Sequence, residues 1–292
     1  MTILILFIAL TMYVKSYGYY SIMPINKGIY YYSLRCLLAL LTPYANATEV
    51  TLATGINDDP PYVYGEQEIS IEYPGVTIDV LKLVEKKTNI KFNILKQPWA
   101  RVVENVKTNQ LDGGFHFSFK EERKSFVAYP IPKGMTLPDS KYSISNRSYV
   151  LYRLKGEETH WNGERIVTNS KARIVIGAIR GGSITGDIKN LGYELLEVNT
   201  DNQLLKLLLA KRIDALIGLE NMIDAKIQSF GVEQTAIIEK TSPVVVNKPY
   251  YVAFSKKFYR ENPQKAWKIW KTIELIKNNG ELTEIFSRYA RR

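Results

Sequence analysis

Three aspartates, Asp79, Asp112 and Asp214, recur beside the ends of predicted strands and helices, a placement that invites an acid–base reading. Proton transfer needs a second group of matched pKa within hydrogen-bond reach. No His or further carboxylate is spaced to supply one, so the three do not make an acid–base set. The chain holds two His, at 116 and 160, and one Cys. That excludes a disulfide framework and a Cys-based zinc site and argues against a His-rich metal centre. Nucleophile-elbow, phosphate-loop and metal-ligand spacings do not occur in the sequence. What is left is the chemistry of recognition. Arg123 stands in the charged run 120–124, Ser183 follows Gly181 and Gly182, and Tyr62 and Trp99 offer aromatic rings, with Arg101 just beyond. His116, Phe117 and Ser118 end an apolar run. Each has a plainer alternative as surface charge, helix cap or core ring, and a lone His is more often a hydrogen-bonded structural residue than a ligand contact.

Short β-rich runs alternate with amphipathic helical runs, the pattern of an α/β fold. Residues 50–54 read as a strand, followed by the turn-rich 57–61. Residues 75–88 read as a helix with Val80, Leu81 and Val84 on one face. Strand 90–95, helix 99–108 and strand 111–117 complete a first series. A second comprises strand 173–178, helix 184–191, strand 193–198, a helix capped by Thr200 or Asp201 and running to Lys211, and strand 213–218. Residues 107–113 and 209–215 both carry a helix end, an aliphatic residue, Asp and a small residue, which predicts two lobes of similar construction. Residues 141–154, 241–246 and 249–255 read as extended, and 262–291 as helical with a break near Gly280. Two crossings, near 145–150 and 242–248, make a hinge beside a cleft where a small ligand can bind and drive closure.

An apolar fraction of 46% with 23% charged residues excludes a disordered chain or a multi-span membrane protein. Residues 1–47 contain no Asp or Glu, carry Lys15, Lys27 and Arg35, and end on Ala45-Asn46-Ala47. These are the parts of a secretory signal peptide, with translation starting at Met23 and cleavage after Ala47. The alternative is a membrane anchor made of both apolar runs; Gly18, Tyr19 and Tyr20 between them argue against it. Cleavage takes the net charge from +10 to +7 and removes the only Cys, Cys36. Basic residues are scattered instead of gathered in a stripe, so nucleic acid is not expected as a partner.

The chain resembles the extracellular solute-binding proteins of family 3, the binding components of polar amino-acid ABC transporters. The resemblance is carried by Pro60-Pro61-Tyr62, Gly75 with Asp79, Gln110-Leu111-Asp112-Gly113, and Lys120-Glu121-Glu122-Arg123 before Phe126. Gly181-Gly182-Ser183, Lys211-Arg212-Ile213-Asp214-Ala215 and Asn279-Gly280 with Leu282 complete it. It implies a type II periplasmic-binding fold: two α/β lobes joined by two extended crossings with a ligand cleft between them. Lobe 1 is expected at 49–145 plus 248–292 and lobe 2 at 150–242. It also implies a monomer without catalysis or cofactor, located in the periplasm, that takes a small polar or carboxylate ligand and delivers it to an inner-membrane ABC permease.

By the same resemblance Arg123 falls on the Arg that forks onto the ligand carboxylate, a task suited to a planar guanidinium. Ser183 falls on a Ser or Thr at a helix start, where free N–H groups favour an anion. Tyr62, Trp99, Arg101, Phe117 and Ser118 are expected around the cleft, with His116 a weaker candidate. The family's ammonium-binding Asp corresponds to Leu219, with Glu220 next to it as a substitute. A periplasmic sensor subunit on the same fold is the main alternative; an enzyme on the scaffold is the remaining one, with His116 or Glu220 as its only acid or base.

Overall fold

The computed structural model describes residues 49–168, 173–230 and 236–289. The leader, the start at Met23 and Cys36 lie outside them. Strand β1 (Glu49–Gly55) alternates well enough to bury Val50 and Leu52, and runs through the turn 59–63 into helix α1 (Val76–Thr88). Strand β2 (Lys91–Gln97), helix α2 (Trp99–Lys107) and strand β3 (Gly113–Ser118) follow, then a 3-10 turn (Glu121–Ser125) and β4 (Val127–Ala128). Strand β5 (Ser145–Leu154) leads to a short hairpin, β6 (His160–Trp161) with β7 (Ile166–Val167). Next come β8 (Val175–Ile179), α3 (Ile184–Asn190), β9 (Glu194–Val198), α4 (Asp201–Leu209), β10 (Ala215–Leu219) and α5 (Glu220–Ser229). The chain ends with β11 (Ile238–Lys240), β12 (Val246–Ser255), α6 (Lys256–Glu261), α7 (Pro263–Asn278) and α8 (Glu281–Tyr289).

The main sheet runs β2-β1-β3-β12-β5-β10-β8-β9. At one end β1 pairs in parallel with β2 and β3; at the other β8 pairs in parallel with β9 and β10. Between them β5 and β12 lie antiparallel, side by side. Parallel strands need helices on their faces, and the apolar clusters follow that rule. Leu52, Leu81, Phe115, Phe254, Ile269 and Trp270 pack together on one half. Leu151, Ile176, Ile184 and Ile217 do so on the other, with Leu204, Leu205 and Leu216 on the opposite face. The described residues form one compact unit.

The similarity between the two series has a physical basis. Asp112 Oδ2 accepts a hydrogen bond from Thr51 N in β1 at 2.9 Å, and Asp214 Oδ2 accepts one from Val175 N in β8 at 2.8 Å. Each Asp stands just before the strand that closes its β-α-β unit and ties the first strand's free N–H. Asp79 accepts from Tyr289 Oη at 2.9 Å and so fastens α1 to α8. Structure and sequence reading differ in several places. The strand expected at 241–246 lies instead at Ile238–Lys240, because Pro243 cannot donate to a ladder, and helix α6 was not expected. Residues 246–255 form one strand, continuous through Pro249. Helix α5 and the β6–β7 hairpin were not expected. Helix α5 opens straight from β10 at Leu219 with no side-chain cap, so the usual start signal is missing. Among the described residues no helix is long and apolar enough to cross a membrane, and no group of three His, Cys, Asp or Glu could hold a metal ion.

Candidate functional site

A cavity with about 100 Å³ of space for water centres lies between the carboxyl ends of β1, β3, β8 and β10, walled by Trp99, Tyr149, Tyr250 and Met222. A water needs about 10–15 Å³ on that measure, so the space is large enough for a small solute. Strand ends of this kind are the usual ligand location in α/β sheets.

Its base is a buried polar cluster. Arg147 Nη1 donates to Asp59 Oδ2 at 2.6 Å, and the two side chains are 1% and 9% exposed. His116 Nδ1 lies 3.1 Å from the same oxygen, and its Nε2 is 2.9 Å from Thr77 Oγ1. The Arg147 guanidinium also sits over the ring of Tyr62 at 4.2 Å, a cation–π contact. Asn221, on the first turn of α5, donates to Asp59 Oδ1 at 2.8 Å and to Pro60 O at 2.7 Å. Burial alone would raise the Asp59 pKa, but Arg147 and His116 hold it below the usual carboxylate range. Burial first, then Arg147, push His116 down to about 4, so its ring is neutral at physiological pH.

Local backbone geometry brings His116 there. The β3–β12 register passes from Tyr251↔Phe117 to Ala253↔Gly114, leaving an extra residue on β3. His116 has φ 64, a left-handed value rare outside Gly but enriched in His. The bulge re-aims the ring, a recurrent use of bulges beside functional sites. Arg147 arrives by simple alternation: Ser145, Arg147 and Tyr149 share the buried face of β5.

A second set of contacts ties the halves together at Gly181. Its carbonyl oxygen accepts from Trp99 Nε1 at 3.0 Å and from Arg123 Nη2 at 2.6 Å, while Arg123 Nη1 donates to Ser118 O at 2.9 Å. The planar guanidinium thus spans from the end of β3 to the turn after β8, over the rings of Trp99 and Phe117. Gly181 has φ +71, and that left-handed turn is open to Gly at little cost.

The predicted residues divide accordingly. Trp99, Ser118 and Ser183 line the cavity, and His116 does too. Ser183 Oγ lies 3.4 Å from Tyr149 Oη, which accepts from Tyr250 Oη at 2.9 Å; Ser183 makes no cap bond to its seven-residue helix. Arg123 is buried behind Trp99 and is not a lining residue. Phe117 packs in the core beneath Trp99, Tyr62 covers Arg147, and Arg101 is exposed. Glu220 points away and pairs with Lys240 at 2.8 Å, while Leu219 lines the cavity.

Sequence reasoning missed Asp59, Arg147, Asn57, Asp201 and Asn221. Asp59 carried only the turn signal ahead of Pro60-Pro61, and Asp201 only a cap signal. Thr200 is the cap, accepting from Gln203 N at 3.3 Å. Asp201 therefore turns its carboxylate to the cavity, where Asn57 Nδ2 donates to it at 3.1 Å. Burial first, then the nearby Asp59 charge, raise its pKa to about 6.

Two α/β halves joined by paired antiparallel strands, with a cavity at their strand ends, define a type II periplasmic-binding-protein fold. The chain belongs to the bacterial extracellular solute-binding proteins, family 3, whose pattern it matches over residues 52–292. Among curated proteins no sequence matches significantly. Solved structures of similar fold include a histidine kinase sensor domain with similarity to periplasmic binding proteins (TM-score 0.65, 13% identity, covering 82% of this chain and 95% of that one). They also include the GluR0 ligand-binding core of Nostoc punctiforme in complex with L-glutamate (TM-score 0.60, 15% identity, 82% and 98%). A third is the amino acid ABC transporter substrate-binding protein AbpA of Streptococcus pneumoniae bound to L-arginine (TM-score 0.61, 16% identity, 82% and 94%). Family and neighbours alike are ligand-binding proteins.

Proposed function

We propose that this chain is the periplasmic substrate-binding component of an ABC transporter. It captures one small polar solute between lobe 1 (49–145 plus 248–292) and lobe 2 (150–242) and presents the closed form to an inner-membrane permease. The observation that carries this reading is the cavity itself, built from both series and bridged by Asn221 to Asp59 and by Trp99 and Arg123 to Gly181. Trp99, Ser118 and Ser183 serve as ligand walls, and Arg123 serves the site by joining the lobes beside it. The protein has no catalytic role in this account: His116 is engaged by Asp59 and Thr77, and Glu220 by Lys240. The likeness to a kinase sensor domain supports a second reading, a sensor subunit that docks on a receptor in place of a permease.

Thermal melts of the purified chain against amino acids, amines and small carboxylates test the binding function. A true ligand at 100 times its Kd adds about 2.7 kcal/mol, which for a unit of this size raises Tm by roughly 5–10 °C. A flat response to the whole panel contradicts the proposal. Affinity capture from a membrane extract with and without that ligand then separates the readings: transport predicts a permease, sensing a receptor.

A further inference from the structure

The charges that face the cavity do not balance. Arg147 is committed to Asp59, and His116 beside them is neutral. Arg123, the other buried cation nearby, spends its two terminal nitrogens on Ser118 O and Gly181 O and does not line the space. Asp201 is left over. It is 5% exposed, its one side-chain partner is the neutral Asn57, and among the described residues no cation pairs with it. Lys226, whose charge is felt at Asp201, is paired with Glu66 at 3.1 Å.

Beside it, an adjoining cavity of about 340 Å³ shares Asn57, Asp201 and Met222 with the first and is also lined by Asn202. The Oδ1 of Asn202 is buried without a hydrogen-bond partner. A buried acceptor with no donor is costly, and a buried carboxylate without a counter-charge more so. Both deficits are met by the same chemistry, an N–H-bearing cation. The aromatic walls, Trp99, Tyr149 and Tyr250, suit the methylene groups and charge of such a molecule.

We infer that the ligand is a small organic amine, recognised through its ammonium group by Asp201, and that this site needs no carboxylate on the ligand. The inference rests on the cavity being the ligand site. The raised pKa of Asp201 fits a carboxylate awaiting a cation. Facing it are Asp59, with Arg147 and His116 behind, Asp58 and Glu66 across the adjoining cavity, and Lys226 on α5. Amine binding is therefore expected to weaken as pH falls through about 6.

The test is calorimetric titration of the full chain at pH 8 with putrescine, ethylamine, glycine and succinate, in the native protein and in Asp201→Asn. The isosteric amide keeps the Asn57 contact, and its melting temperature reports that it folds. Binding of an amine that falls about 10- to 150-fold in the variant, the worth of a charged hydrogen bond, is the expected result. Amine binding equal in both proteins, or binding of succinate or glycine without the simple amines, overturns the inference and leaves the binding function standing. Binding of none of the four also overturns the inference, and the thermal melts against the wider panel then decide the binding function.

Discussion

Replacing Arg147 by Met is expected to lower the unfolding free energy by about 3–5 kcal/mol, the cost of stripping a buried charge of its partner. In the native chain the Arg147–Asp59 pair is nearly sealed from water, so each charge depends on the other for the solvation it has lost. Met fills the guanidinium's place on the Tyr62 and Tyr250 rings but leaves Asp59 with only His116 and Asn221. Asp59 then takes up a proton more readily, so the loss is largest where Asp59 is ionised and shrinks as pH falls and the carboxyl is neutralised. Adding Asp59→Asn removes the orphaned charge, so the double variant should recover most of the loss. Urea denaturation of the two single variants and the double variant measures the coupling. A loss below 1 kcal/mol in Arg147→Met, or additive effects, would show that the cluster is not held by this pair.

The second large effect has the opposite sign. Asp201→Asn is expected to stabilise the ligand-free protein by about 3 kcal/mol at pH 7.5, with the gain gone by pH 4. Asp201 has a pKa of about 6 in the fold against 3.8 in the reference state, so between those values the folded chain holds the proton more tightly. Above pH 6 its ionised form burdens the fold; one pKa unit is worth about 1.4 kcal/mol. His116 works the other way. Its pKa of about 4 against 6.5 means the unfolded chain takes the proton first, so that contribution to stability is lost as pH falls from 6.5 towards 4. The two oppose each other in the native chain, and removing Asp201 leaves the His116 slope unopposed. A 3 kcal/mol gain corresponds to roughly 6–12 °C in Tm for a unit of this size. Melting curves of both proteins from pH 4 to 8 that run parallel would contradict the assignment. A side chain that costs stability while facing a cavity is the usual mark of a binding group.

The frame of this molecule was legible in its sequence because periodicity and turn chemistry are local signals. The two β-α-β series, the break near Gly280 and the paired Asp112 and Asp214 all follow from residues a few positions apart. The site was less legible because its pairings are distant: Asn221 and Asp59 lie 162 positions apart, Asn57 and Asp201 144. Arg147 did leave a trace, as a charged residue on the buried face of an alternating strand between Ser145 and Tyr149. Such a position demands an anionic partner, although sequence alone does not say that Asp59 is that partner. Arg123 shows the limit of register. The fork geometry expected for a ligand carboxylate is present, but it is spent on two backbone carbonyls, one from each half.

Gly55 offers the most direct test of where the ligand sits. It lines the cavity at the end of β1, and a Cβ built there meets no atom within 4 Å. A larger side chain can therefore enter the empty space without displacing the walls. Calorimetric titration of Gly55→Leu with whichever solute stabilises the native chain should show no binding, with the melting temperature of the free protein preserved. Native-like affinity in that variant would place the ligand elsewhere and contradict the account.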